Sequence, residues 1–164
     1  MVAQYFEHSS STYLQAGLGF YPYLTYGSAV DASLASTFRF QLDLNVHLGW
    51  AITRSLYLVG GYDGVLDEIF TSGTYSNQIS SSLFSLGVRI YPFVNRLVIG
   101  ADVGVSMVNG FTALGYGFGG IVAWDFSPFG LNFEVGARTL YLNFNFSSPS
   151  YMFAVMPIIC FVIR

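Results

Sequence analysis

The sequence has no lysine, one cysteine (Cys160) and little charge of either sign: Asp, Glu, Lys and Arg together make 9% of its 164 residues. Each scarcity excludes something. A soluble domain usually carries about 25% charged residues, and a small fold this poor in charge cannot cover itself well enough to stay dispersed in water. A lone cysteine allows neither an internal disulfide nor a cysteine-based metal cluster. Six basic residues against nine acidic ones, net −3, leave no basic patch for nucleic acid. Long apolar runs are missing too. A membrane-spanning helix needs about 20 consecutive apolar residues, and the longest charge-free stretch, Thr139–Ile163, is interrupted by Asn143, Asn145, three serines and two prolines.

What the chain does have is apolar and aromatic side chains, 53% and 18% of the total, with 18 glycines, 16 phenylalanines and 12 tyrosines. That is too much apolar area for a disordered chain. Its distribution has period two. From Phe38 to Trp50 (Phe-Arg-Phe-Gln-Leu-Asp-Leu-Asn-Val-His-Leu-Gly-Trp) a large apolar residue alternates without fault with a polar residue or glycine. Successive side chains of a strand point to opposite faces, so this segment has one oily face and one polar face.

The alternation recurs over Thr12–Tyr21, Leu56–Asp63, Ser80–Tyr91, Leu97–Val108, Leu114–Phe126, Leu131–Tyr141 and Tyr151–Ile163. It is weakest in Leu56–Asp63, whose phase is open to reversal. Counting Phe38–Trp50, eight strands are predicted. Ala51–Ser55, Pro92–Arg96 and Ser127–Gly130 read as tight turns. Leu24–Ser36 and Gly64–Asn77 read as longer loops rich in Gly, Ser, Thr and Asp. An even strand count with short turns on one side describes an all-β, eight-stranded antiparallel up-and-down transmembrane β-barrel. Closure is required because lipid offers no water to an open sheet edge. Residues 1–11 read as a polar leader, and residues 12–164 as the barrel domain.

The two phases separate the charges. Arg39, Asp43, Asp63, Arg89, Asp102, Asp125, Glu134, Arg138 and the terminal Arg164 oppose the bulky apolar set; Glu7, Asp31, Arg54, Asp67, Glu68 and Arg96 sit in leader, loops or turns. None lies on the oily face, where a lysine or arginine would cost about 2–4 kcal/mol at the midplane. The inverted arrangement, a soluble barrel with the oily set inside, is disfavoured because an eight-stranded interior is barely wide enough for side chains. Tyr21, Tyr23, Trp50, Tyr91, Trp124, Tyr141 and Tyr151, near strand ends, suit the interfacial aromatic girdles.

Architecturally the chain resembles the small eight-stranded bacterial outer-membrane proteins of the OmpA, OmpX and OmpW type, over about residues 12–164. It departs from many of them in ending Phe161-Val162-Ile163-Arg164 rather than on an aromatic residue, and Met1-Val2-Ala3-Gln4 reads as the start of a mature form. The resemblance implies a bacterial outer-membrane location, with the amino terminus and short turns periplasmic. On that orientation a lumen charge network is expected from Arg39, Asp43, His47, Asp63, Arg89, Asp102, Asp125, Glu134 and Arg138. His47, Arg89, Asp102, Asp125 and Glu134 stand low, Asp43, Asp63 and Arg138 higher, and Arg39 is near the outer mouth. Buried charges are tolerable only when paired, so the network would plug the lumen or gate a narrow polar path.

Leu140, Leu142, Phe144 and Phe146 continue the phase of Glu134 and Arg138, so either the strand bulges there or the lumen turns apolar. With Met152, Ala154, Met156 and Ile158 they could form an apolar core plug, or a region that the OmpW-like resemblance implies would bind or pass a small hydrophobic solute; Leu140, Leu142, Phe144, Met152 and Met156 are its candidate residues. Pro157 calls for a local bulge, since it removes a ladder donor. No catalytic set, metal or cofactor is expected: Asp43 and His47 share a face but stand about 13 Å apart along the strand, and no serine motif accompanies them. Expected partners are membrane lipid or lipopolysaccharide and a small hydrophobic solute, with the chain monomeric and binding no nucleic acid. The other functional class is a surface adhesin acting through loops 24–36 and 64–77.

Overall fold

In a computed structural model, the structure describes residues 12–20, 23–27, 38–53, 55–71, 74–92, 96–108, 113–144 and 150–163; the leader 1–11, Phe146 and Arg164 lie outside them. The strands are β1 (Thr12–Phe20), β2 (Tyr23–Gly27), β3 (Phe38–Thr53), β4 (Leu56–Thr71), β5 (Thr74–Ile90), β6 (Leu97–Val108), β7 (Ala113–Asp125), β8 (Phe133–Phe144) and β9 (Ser150–Ile163). From β3 to β9 consecutive strands pair antiparallel, and β1 pairs with both β3 and β9, so the sheet closes. β1 and β2 both lie along β9 and form one barrel strand, which makes eight.

The register fixes the shape of the cylinder. Ala16, Val46, Tyr62, Phe84, Val105, Tyr116, Asn143 and Tyr151 are successive partners around the wall, and Tyr151 returns to the first strand at Gly27. That is eleven residues past the start, one of them an extra residue: Gly19 to Tyr23 spans four steps where its partners Ile158 to Val155 span three. A stagger of ten residues over eight strands tilts them by roughly 40°. The extra residue falls on the β1–β2 side, between the two strands. Pro157, where the sequence calls for a bulge in β9, lies opposite this interruption. β9 itself runs in register with β8 through Ala137↔Pro157, because the missing donor falls where the other neighbour's ladder is already broken.

Two expected loops contain strand. Gly64–Thr71 and Thr74–Asn77, read as parts of a loop over 64–77, belong to the arms of one hairpin: Gly64–Glu68 pair with Gln78–Ser82, and Ile69–Thr71 with Thr74–Asn77. Leu24–Gly27, read as the start of the loop 24–36, pairs with β9. Polarity conceals both: a sheet face turned to water needs no apolar side chains, so the alternation that marks a strand in sequence fades there while the ladder continues. The opposite end is tightly turned. Ser127–Phe129 form a 3-10 turn, Asp125 Oδ1 accepts from the Ser127 amide at 2.9 Å, and Gly130 closes the turn at φ 78°, a left-handed conformation suited to glycine. The Arg96 guanidinium lies 4.4 Å from the centre of the Phe129 ring, tying two neighbouring turns together.

Outward and inward faces separate as expected. Leu44, Leu48, Leu86, Val103, Phe118, Val122 and Ile159 are exposed, while the alternate positions are buried. In β4 the weak pattern keeps its first phase, with Tyr57, Val59 and Asp63 inward. Trp50 and Trp124 face out near the short-turn end, and Tyr116, Tyr141 and Tyr151 face out toward the other. Tyr91 departs from the expected girdle: it is buried, because it continues the inward parity of Leu83, Ser85 and Arg89. Tyr21 and the side chain of Tyr23 lie outside the described residues.

A charge at the middle of the oily face tests this sidedness. Val103→Arg should lower folding stability by about 2–4 kcal/mol in urea titrations of the protein in lipid vesicles. An unchanged midpoint would contradict lipid exposure of that position.

Candidate functional site: an ionic belt inside the barrel

Inward parity delivers ionisable side chains from five strands to one level of the lumen. Arg89 (β5) pairs with Asp102 (β6), Nη1 to Oδ1 at 2.6 Å and Nη2 to Oδ2 at 3.4 Å. Arg138 (β8) reaches across to both Asp63 (β4) and Asp102, its Nη2 lying 2.6 Å and 2.9 Å from their Oδ2 atoms. His47 (β3) stands beside them, with Nε2 3.5 Å from Asp63 Oδ2 and 3.4 Å from Arg138 Nη2. A single chain of contacts therefore runs Arg89, Asp102, Arg138, Asp63, His47. All five side chains are buried, where a charge is stable only beside an opposite one with its remaining positions hydrogen-bonded.

The low and high layers expected from the sequence are thus joined, with Arg138 as the connection. The other members of the expected network are held differently. Glu134 accepts from Gln15 Nε2 at 3.1 Å and from the Tyr91 hydroxyl at 2.9 Å. Asp43 accepts from Asn45 Nδ2 at 2.9 Å, and Asp125 holds the Ser127 turn. Arg39 stands in β3 opposite Ile69; its side chain lies outside the described residues.

Glycine makes the space. A Cβ on Gly61 would occupy the position of the His47 ring, one on Gly100 would lie 2.5 Å from Arg89 Cδ, and one on Gly119 would lie 2.7 Å from Asp102 Oδ2 and 2.9 Å from Arg138 Nη2. Each long charged side chain thus lies over an inward glycine of a neighbouring strand, the small-against-large filling that a narrow barrel requires. This is why glycine shares the inward phase with Arg and Asp.

Below the belt, Tyr13, Tyr57 and Tyr91 form a floor, with ring centres 5.6 and 5.7 Å apart in sequence. Above it the lumen turns apolar. Leu140, Leu142, Phe144, Met152, Ala154, Met156 and Ile158 are all buried, and β8 stays in register with both neighbours, so the phase does not break there. Of the two alternatives open in the sequence, bulge or apolar lumen, the second is the structure.

Several inward residues were not singled out from the sequence: Tyr13, Gln15, Asn45 and Ser85. Strand parity would have found each. The His47–Asp63 contact was missed for another reason. It needs the hairpin register, His47↔Gly61 and Asn45↔Asp63, which brings Asp63 diagonally to His47, whereas Asp43 on the same strand stays out of reach.

Neither a protein-family model nor a curated protein sequence matches this chain. Solved structures match its fold. Neisserial surface protein A superposes with TM-score 0.58 and 13% identity over 93% of this chain and 97% of that chain. Ail, the attachment invasion locus protein of Yersinia pestis, solved with the heparin analogue sucrose octasulfate, gives TM-score 0.58 and 8% identity over 93% and 97%. Both are small bacterial outer-membrane barrels, and at these identities the likeness is one of fold.

Unequal losses should follow from the contact chain. Arg138→Ala leaves two buried carboxylates without their shared partner and should cost about 3–5 kcal/mol, whereas Arg89→Ala, which leaves Asp102 its contact with Arg138, should cost clearly less. Urea titrations of folded fraction would read both, and equal losses would refute Arg138 as the connection. Gly61→Ala should also destabilise, by displacing His47.

Proposed function

We propose that the chain is an integral barrel of the bacterial outer membrane, a monomer surrounded by lipid or lipopolysaccharide, whose lumen is closed by the Arg138 network. Its role on this reading is structural, without cofactor or catalytic centre. The filled lumen carries the proposal: Leu140, Leu142, Met152, Ala154 and Met156 are each at most 1% exposed, above an ionic belt whose side chains are equally buried. An eight-stranded cylinder is only wide enough to be filled by its own side chains, and an aqueous channel takes about sixteen strands. The apolar residues that could receive a small hydrophobic solute pack instead into the core, which supports a plug over a passage.

A second reading, surface attachment, is favoured by the β4–β5 hairpin. Its strands of 16 and 17 residues exceed the roughly 9–11 that cross a bilayer, so its far arms stand clear of the membrane. That Ail was solved with a heparin analogue gives this reading a probe: sulfated polysaccharide.

Planar-bilayer recordings test the first reading. The wild-type protein should give no conductance steps, with or without an apolar solute, and steady openings that respond to Arg138→Ala would overturn the closed lumen. Deletion of the β4–β5 arms should leave bilayer behaviour unchanged, and should abolish sulfated-polysaccharide binding only if the second reading holds.

A further inference from the structure

Two small outward residues stand side by side in the barrel wall. Gly64 of β4 pairs with Ser82 of β5, and Leu44 of β3 lies on the other side of Gly64. Large residues surround this floor: Leu42 and Leu44 on β3, Tyr62 and Leu66 on β4. The result is a groove of about 410 Å3 lined by these six residues and, from the inward positions at the same level, by Val65 and Ser81, within the roughly 300–1,000 Å3 range of small-molecule sites. The Tyr62 ring lies over Gly64, its hydroxyl 2.9 Å and its Cε1 3.0 Å from where a Gly64 Cβ would be, so a larger residue at 64 would push the ring into the groove. Among the described residues, no charged side chain lines the groove.

Two observations say what fills it. Its rim is part of the exposed apolar belt, with Leu44 at 51% and Tyr62 at 36%, so the groove is continuous with the face turned to lipid. Val65 and Ser81, the lumen-facing residues at this level, are buried behind it. Its height fits as well. Gly64 stands eight residues above Leu56, the start of β4, or about 20 Å along the barrel axis at the strand rise and tilt given above. That is near the upper edge of an apolar band about 25 Å tall, where acyl chains join their headgroups. Two hydroxyls, on Tyr62 and Ser82, stand at this depth among apolar side chains.

We propose that this groove seats one acyl chain of an outer-leaflet lipid, with the Tyr62 and Ser82 hydroxyls placed to donate to the carbonyl that links chain to headgroup. The proposal rests on the bilayer placement above. A smooth wall gives a passing chain contact on one side only; a groove surrounds it, and each added contact contributes dispersion energy, so a lipid held here exchanges more slowly than its neighbours.

Photolabelling of the full chain tests this. The protein is reconstituted in phosphatidylethanolamine and phosphatidylglycerol vesicles containing a small share of phosphatidylethanolamine with a diazirine near the acyl carbonyl. Adducts are then located by mass spectrometry. Labelling at residues 42–44 and 62–66 should exceed that at equally exposed outward positions, such as Leu86 and Val103, several-fold. Gly64→Leu, which fills the floor, should remove the excess, and Ser82→Leu should do so from the neighbouring strand if the first variant does not fold. Even labelling around the wild-type wall, or an excess that survives in either folded variant, would overturn the groove as a lipid site. Acyl adducts absent from every position would instead overturn the bilayer placement.

Discussion

One guanidinium, that of Arg138, organises the interior of this barrel. It joins Asp63 and Asp102, which arrive on strands distant in sequence, and it stands beside His47. A charge buried this deeply is tolerated only beside its partners, so the contact constrains every strand that supplies one. A one-residue slip would turn all the side chains of a strand to the opposite face, stranding a charge in lipid and a bulky apolar group in the lumen. The ion pairs need not contribute net stability to do this, since replacing a whole buried network by apolar side chains is often neutral or better. What they supply is a penalty on every other register.

The exterior imposes the complementary constraint. The sheet is closed, and closing eight strands leaves little internal volume. The chain meets that shortage with glycines that face inward under Arg89, His47 and Arg138. It meets the local problem of Pro157 by pairing it with β8 while the extra residue of the opposing strand sits on its other side. Apolar bulk goes where space is free, onto the outer wall.

Strand number and the inward and outward faces are legible in the sequence, because each follows from parity and parity is local; parity also turns the five belt residues inward, but it does the same for Asp43, Asp125 and Glu134 and cannot tell which of them meet. Phe38–Trp50 shows it without interruption, and even the weak β4 segment keeps its phase. What parity could not supply was who meets whom. Asp63 reaches His47 through hairpin register, Arg138 reaches Asp102 across the lumen, and Glu134 meets Gln15 and Tyr91. The far arms of β4 and β5 look like loop in the sequence because they lack the apolar alternation of the strand parts below them. Tyr91 was assigned to the wall on residue type, where its place in the alternation already put it inside.

The central claim is one of sidedness: the bulky apolar face of every strand touches acyl chains. The protein carries two tryptophans, Trp50 and Trp124, both outward and 58% and 41% exposed, so its native fluorescence reports on that face without a label. In vesicles of phospholipids brominated on the acyl chains, their emission should be strongly quenched, most by bromines placed nearest the headgroup, since both stand near strand ends. Emission insensitive to bromine at any depth would place these rings away from lipid and contradict the account.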